Sequence, residues 1–565
     1  MLDTLLGLLV VSALPLAITT IPNTLSVVAK LLPGDLDQVG LMRTHGLALP
    51  ALMLTVPLAA VALRRVPVAH LMLAGLALVA LSDAAGGYAA TELVVGAARV
   101  LRGVGAGLLV PATLVAVWQR TPVLRALWAG TFALSLLAAQ ALALWPLDEV
   151  SSWKVTLQPY PLVTGIALGL AAAHLVAWML LGRPAAPAPD PRERSRLLLT
   201  VVPAAGIAVV AISTATAGWR AAPVMALAGA AVAGLLVLAS MGTAESRRAA
   251  YVLVAVGVVL LPSAAQVTLV EMGGLGGPGL RGLWLPYGIA GVLAIGAAVA
   301  VRLFAAAAGR WLGPLGLLSM VVGLCSVRLV VPSADGLVLA VPFTLLAVGA
   351  AVAVTATLQE VGAGVAAFGL SLCVAGVLAG FLLGTGVQMA MLDGVRSAQE
   401  LVDKFVGALH WWALVGGFLM VVVIVMAAVL ARRTAGDAEE EEPPCVLGDV
   451  LVASGREETA RAGGTARGSE AVDCGGRPAG GGVRKWGDVV IDVPAVDPVV
   501  DSVVDPVEAS GAPVAEEDED APTGVVPRVV LPVAAGHAFE QPGSEEGAVP
   551  AIPPQGQSPE DGTVP

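Results

Sequence analysis

Charge is what this chain has least of. Asp, Glu, Lys and Arg make up 13% of it and the mean hydropathy is +0.86; soluble domains carry roughly 25% charged residues. A water-soluble globular body is thereby excluded for most of the length. The four cysteines, Cys325, Cys373, Cys445 and Cys474, are too few and too scattered for a disulfide framework. None sits in a CxxC or other metal-ligand spacing, so no metal or redox centre is expected. There is no GxxxxGK[ST] loop, no HExxH and no nucleophile elbow, so neither ATP-driven work nor hydrolysis has support. Neither an enzyme nor a cofactor is expected. The basic residues near the C-terminal end are isolated, which leaves no nucleic-acid footprint. No Lys or Arg precedes the first apolar run, so that run reads as a retained spanning helix rather than a cleaved signal.

What the chain does have is long apolar runs. A stretch of about 20 apolar residues crosses the hydrocarbon core of a bilayer. Such runs lie at approximately 4–29, 44–63, 66–85, 91–118, 124–146, 160–182, 197–217, 221–241, 250–271, 282–303, 311–331, 336–357, 362–391 and 409–431, fourteen in all. An even number places both termini on one side. Loops on the N-terminal side carry fourteen basic residues against eight on the other, so both termini are expected to be cytoplasmic. The connection 183–196 is rich in Pro and Arg and reads as a semi-rigid linker between six spans and eight.

Net charge divides the chain a second way. Residues 1–433 carry 24 Lys/Arg and 16 Asp/Glu, whereas residues 434–565 carry 7 and 26. The acidic pI therefore belongs to the tail. Its Pro-, Gly- and acid-rich composition predicts disorder, and a protein partner for it is an expectation of the same kind.

Two charges stand out in the apolar body. Arg99 and Arg102 fall inside the fourth span, beside Gly103, Gly105 and Gly107. Each costs roughly 2.5–3.5 kcal/mol to insert on translocon scales, so each needs water or a partner. At 100° per residue Arg99, Arg102, Gly103 and Ala106 share a helix face. Two readings follow: the arginines line a central cavity, or they pair with polar groups and backbone carbonyls to hold the bundle. Asp83, Glu92 and Glu271 are candidate carboxylates near span ends, and Gln140, Gln266 and Gln388 are the polar side chains within spans. Gly376, Gly380 and Gly384 form a GxxxGxxxG spacing, and Gly165 with Gly169 a shorter one, both suited to close helix approach.

Several of these patches resemble the major facilitator superfamily, and fourteen spans point to its drug:proton antiporter branch. Thr19-Thr20-Ile21-Pro22-Asn23 is similar to the family's first-helix signature, with Ile18 where an acid is usual. Arg99-Val100-x-Arg102-Gly103-x-Gly105-Ala106-Gly107 is similar to its fourth-helix pattern, with Arg102 in place of a glutamine. Gly309-Arg310-Trp311-Leu312-Gly313-Pro314 resembles the second-half loop signature, and Arg64-Arg65 lies at the first-half counterpart. The resemblance implies an all-α polytopic fold: a six-helix bundle over 1–182, the linker 183–196, two extra helices over 197–241, a second bundle over 250–431 and the tail 434–565. It also implies a secondary active transporter of the cell (inner or plasma) membrane, exporting a small drug-like compound by alternating access with protons as coupling ion. Its pathway residues would be Asn23, Arg99, Arg102, Gln140, Gln266 and Glu271. The alternative is a transport-incompetent derivative acting as a membrane scaffold or sensor through its tail.

Overall fold

The computed structural model describes residues 1–32, 37–148, 152–181, 191–214, 220–241, 243–272, 277–304, 309–359 and 361–440. Residues 183–190 of the linker and 441–565 of the acidic tail lie outside the described residues. Every regular element among the described residues is helical. Among the described residues thirteen helices are long and apolar enough to cross a membrane, and Leu2–Ile18 is a shorter apolar one. The chain is a multi-pass, all-α membrane protein.

The first apolar run is not one span. Helix α1 (Leu2–Ile18) stops early, and the chain continues through a turn into a 3-10 segment at Leu25–Leu31. Pro22 is the reason: it has no N–H to offer and pushes the preceding residue out of helical geometry. The second run is also divided, into α2 (Gln38–His45) and α3 (Ala48–Ala62), with Gly46 between them. At about 1.5 Å per residue, α1 is about 25 Å long, short of a full crossing. Both interruptions lie toward the same end of the bundle, a placement with consequences for Arg99.

The remaining helices of the first group are α4 (Val68–Gly87), α5 (Glu92–Trp118), α6 (Pro122–Leu144) and α7 (Pro161–Leu181). Proline opens α6 and α7, where its missing N–H costs nothing. Helix α8 (Pro191–Thr214) opens in the same way, so the last six residues of the stretch read as linker, 191–196, are helical. Helix α9 (Ala221–Ala239) follows, then α10 (Ala244–Met272), α11 (Gly279–Phe304), α12 (Gly309–Val330), α13 (Ala340–Leu358), α14 (Ala363–Leu392) and α15 (Ala398–Glu440). The last runs past the predicted end at 431.

Packing sorts these helices into two groups. Helix α5 packs on α1, α3 and α4, and α7 on α1 and α4; in the second group α10 packs on α14 and α15, and α13 on α11 and α12. The groups meet where α6 packs on α10, α11 and α13, and where α14 packs on α3. Helices α8 and α9 are the extra pair: α8 packs on α3 and α14, and α9 on α14 and α10. They therefore lie along one side of the junction, not at its centre. Burial follows from this layout. The most apolar 18-residue windows of α6, α10 and α14 are 83%, 94% and 89% buried, whereas those of α7, α8 and α9 are 28% buried and turn their apolar surface outward. A helix apolar on every face suits both settings.

Glycines decide the closest approaches. A Cβ on Gly103 would strike the Ala48 carbonyl of α3, and one on Gly107 would press Thr55 of the same helix. Gly105 faces the other way, onto Gly75 of α4, so α5 is wedged between two neighbours. Gly376 and Gly380 lie against the backbone of α10 at Val254 and Val258, and Gly384 against the Gln266 side chain. Gly165 and Gly169 of α7 do not act this way: nothing lies within 4 Å of a Cβ at either. The spacing alone made them look like a packing face. Gly169→Ala should therefore be neutral or raise stability by about 0.5 kcal/mol, through helix propensity alone; a clear loss in thermal unfolding of the detergent-solubilised protein would place a neighbour there.

Candidate functional site

A cavity of about 390 Å³ lies where the two helix groups meet, toward the end reached by the C-termini of α1, α6, α10 and α14. The corner after α1 supplies Ile21, Pro22 and Asn23, and α2, α3 and the turn between them supply Met42 to Thr44, Gly46, Leu47, Leu49 and Pro50. Gln140 enters from α6, Ala211 and Ile212 from α8, Gln266 and Leu269 from α10, and Phe381, Thr385 and Gln388 from α14. Both groups and one extra helix thus form its wall. Its polar side chains are mostly carboxamides and hydroxyls. Among the described residues Arg43, exposed, is the single charged one in the lining, and no Asp, Glu or His lines it.

Three of the predicted pathway residues meet there: Asn23, Gln140 and Gln266. The Asn23 amide donates to the Met42 carbonyl at 3.0 Å and its oxygen accepts from the Leu25 amide, so it pins the corner after α1 to the end of α2. Gln140 and Gln266 are 5% and 7% exposed. The Gln266 Oε1 is buried with no hydrogen-bond partner among the described residues.

Arg99 and Arg102 do not line this cavity. Arg99 is 3% exposed, and its guanidinium donates to the carbonyls of His45 at 2.8 Å, Thr20 at 2.8 Å and Pro22 at 3.3 Å. Those are carbonyls left free where α1 ends and where α2 breaks before α3. Backbone groups that leave a helix at membrane depth must find partners inside the protein, and one five-donor guanidinium meets three of them. Arg102 points elsewhere. Its Nη1 lies 2.7 Å from Asp83 Oδ1 and 2.7 Å from the Leu157 carbonyl, with the side chains of both ionic partners almost wholly buried. Asp83 Oδ2 accepts from Thr164 Oγ1 at 2.8 Å, and Ser82 of the same turn donates to the Ala98 carbonyl. The ion pair therefore ties α4, α5 and α7 into one unit. Of the two readings open for these arginines, the geometry is that of bundle-holding contacts.

Glu271 is also elsewhere. It is buried at the end of α10, and its carboxylate accepts from the Ser333 backbone amide at 3.1 Å, fastening α10 to the connection between α12 and α13. Glu92, half-buried, packs where a Cβ on Gly40 would fall. In the turn after α3, Arg64 is half-buried and Arg65 exposed. Gly313 is buried in α12, where a Cβ would meet Thr357 of α13 at 3.2 Å; the side chain of Arg310 lies outside the described residues.

Sequence reasoning singled out Asp83 only as a span-end carboxylate, and missed that it is Arg102's partner. The signal was there: a lone acid about four residues from the end of a span, in a chain with two unpaired intramembrane cations. It also missed Phe381 and Thr385, which nothing in an apolar run distinguishes from packing residues.

The opposite end of the junction is held shut. Trp118, at the C-terminus of α5, donates from its indole to the Val361 carbonyl just before α14, at 3.3 Å. Arg125 donates to the Trp118 carbonyl and lies over its ring at 5.4 Å. The cavity thus sits toward one end of a junction whose other end is bridged across the two groups.

The sequence matches no family model and no curated protein. Among solved structures, the chain is similar to a proton:xylose symporter of the major facilitator superfamily bound to 6-bromo-6-deoxy-D-glucose, at 16% identity and a TM-score of 0.48, over 75% of this chain and 94% of that one. It is similar to a peptide transporter, in a mutant form bound to alafosfalin, at 15% identity and a TM-score of 0.48, over 76% and 95%. A human organic anion transporter is similar at 15% identity and a TM-score of 0.44, over 74% and 99%.

Proposed function

We propose that this chain is a secondary transporter of the major facilitator type, belonging with the fourteen-span branch, which carries a small organic compound across the cell membrane by alternating access. One observation carries the reading: a cavity walled by both helix groups, lying toward one end of their junction, with the other end bridged by Trp118 and Val361. A solute can enter such a cavity from one side only, and a rocking motion that breaks the bridge would expose it to the other. With both termini cytoplasmic, the side now facing the cavity is the outer one, and export would load it in the opposite state.

Among the described residues no carboxylate or histidine lines the cavity, so coupling by direct competition between proton and solute has no group to act on there. The buried carboxylates among the described residues, Glu271 and Asp83, are each engaged elsewhere. That same lack favours the alternative of a transport-incompetent scaffold.

The two separate in one experiment. Cysteines are placed at Trp118 and Val361 in a background lacking the native cysteines, and flux of a compound panel is followed in proteoliposomes. Oxidative cross-linking should abolish flux, leave ligand binding from the cavity side intact, and be reversed by reductant. Flux that persists through the cross-link rules out alternating access at this junction. No flux of any compound in the uncross-linked protein favours the scaffold.

A further inference from the structure

The lining of the cavity constrains the charge of what it holds. Its polar side chains are Asn23, Thr44, Gln140, Gln266, Thr385 and Gln388, set among apolar groups such as Ile212, Leu269 and Phe381. Carboxamides and hydroxyls offer both donors and acceptors and carry no net charge. A buried ammonium needs a carboxylate to offset its lost hydration, and none lines this wall among the described residues. The two intramembrane arginines that would draw an anion are spent on backbone carbonyls and on Asp83. Arg43 is exposed, so its charge is screened by water.

Gln266 supplies the second, independent observation. It is more than nine-tenths buried, it lines the cavity, and its Oε1 accepts nothing among the described residues. Its amide lies against α14 at Gly384, where a Cβ would meet Gln266 Nε2 at 2.5 Å and make the amide shift. A buried acceptor without a donor is costly, and a ligand N–H or O–H placed there removes the cost.

Building on the transport reading, we infer that the cavity takes an uncharged amphipathic molecule bearing a hydrogen-bond donor, an amide or alcohol on an apolar body, with Gln266 Oε1 accepting from that donor. A cation of the same shape is rejected because no carboxylate among the described lining residues offsets its lost hydration, and an anion meets only Arg43, which is exposed.

Four compounds on one scaffold test this: N-acetylphenylalaninamide (neutral donor), its N,N-dimethylamide methylated also at the acetamide nitrogen (neutral, no N–H left), N-acetylphenylalanine (anion) and N,N,N-trimethylphenylalanine methyl ester (permanent cation). Binding to the purified full chain is measured by equilibrium dialysis with radiolabelled compounds, and flux in proteoliposomes. The primary amide should bind at least tenfold more tightly than the other three. Gln266→Leu should remove the discrimination between primary and dimethyl amide. Gln266→Glu, which keeps the shape, should move preference toward the cationic ester. Equal or tighter binding of either charged compound by the unmodified protein overturns the inference, as does retained discrimination in Gln266→Leu or an unmoved preference in Gln266→Glu. Cross-link-sensitive flux of a charged compound in preference to the amide sinks this inference and leaves the transport reading standing. Absence of binding and of flux for all four sinks both.

Discussion

Arg102→Met lowers the stability of the folded protein by about 3–5 kcal/mol, the usual cost of removing one member of a buried ion pair. It would be measured as a fall in the unfolding midpoint of the detergent-solubilised protein. The size follows from what is left behind: Asp83, 4% exposed, would keep a charge with only Thr164 to satisfy it, and the Leu157 carbonyl would lose its donor. Asp83→Leu alone should cost a similar amount, by stranding the guanidinium. The double change Asp83→Leu/Arg102→Met should recover most of the loss, because a buried ion pair replaced by apolar groups of similar volume is often close to neutral. The coupling between the two sites in this cycle is the decisive quantity. Additive losses would show that the pair is not the reason for the cost.

Arg99→Ala is expected to be as damaging but in a more local way. Hydrogen bonds to a charged group contribute about 1.5–3 kcal/mol each, and three carbonyls depend on this one side chain, so a loss of about 3 kcal/mol or more is expected. The amides of residues 19–25 and 45–47 should exchange faster with deuterium while α13 and α14 stay protected, since the damage is confined to the broken ends of α1 and α2. Arg99→Lys should rescue little, because an ammonium is a point donor and the three acceptors are spread over two chain breaks. Unchanged stability and exchange, with a changed substrate profile, would return Arg99 to the transport pathway.

These two arginines show where reading the chain stops. Their intramembrane position and the helix face they share were legible, and so was the need for partners. Which partners was not, because His45, Thr20, Pro22 and Asp83 lie 19 to 79 residues from the arginine each one meets and reach it only through packing of α1, α2 and α4 on α5. Pro22 in the first run was a visible helix breaker, yet an apolar run with one proline reads equally as a kinked span. Gly165 and Gly169 made the opposite error possible, a motif spacing with no helix opposite it.

What the sequence by itself determined is the class of molecule. Low charge and apolar runs of membrane length admit only helices that satisfy their own backbone, so an all-α polytopic body follows from composition. The glycines of α5 and of α14 were readable as contact positions for the same reason, since small residues in apolar helices serve close approach. What only the tertiary structure decided is which polar groups face a cavity and which face each other. All six of Asn23, Arg99, Arg102, Gln140, Gln266 and Glu271 were expected along the pathway; Arg99, Arg102 and Glu271 are held in the frame, and Asn23, Gln140 and Gln266 meet in the cavity. The physical reason is that a charge in a low-dielectric interior is drawn to the nearest group that can satisfy it. That group is set by how the helices pack, which no local pattern encodes.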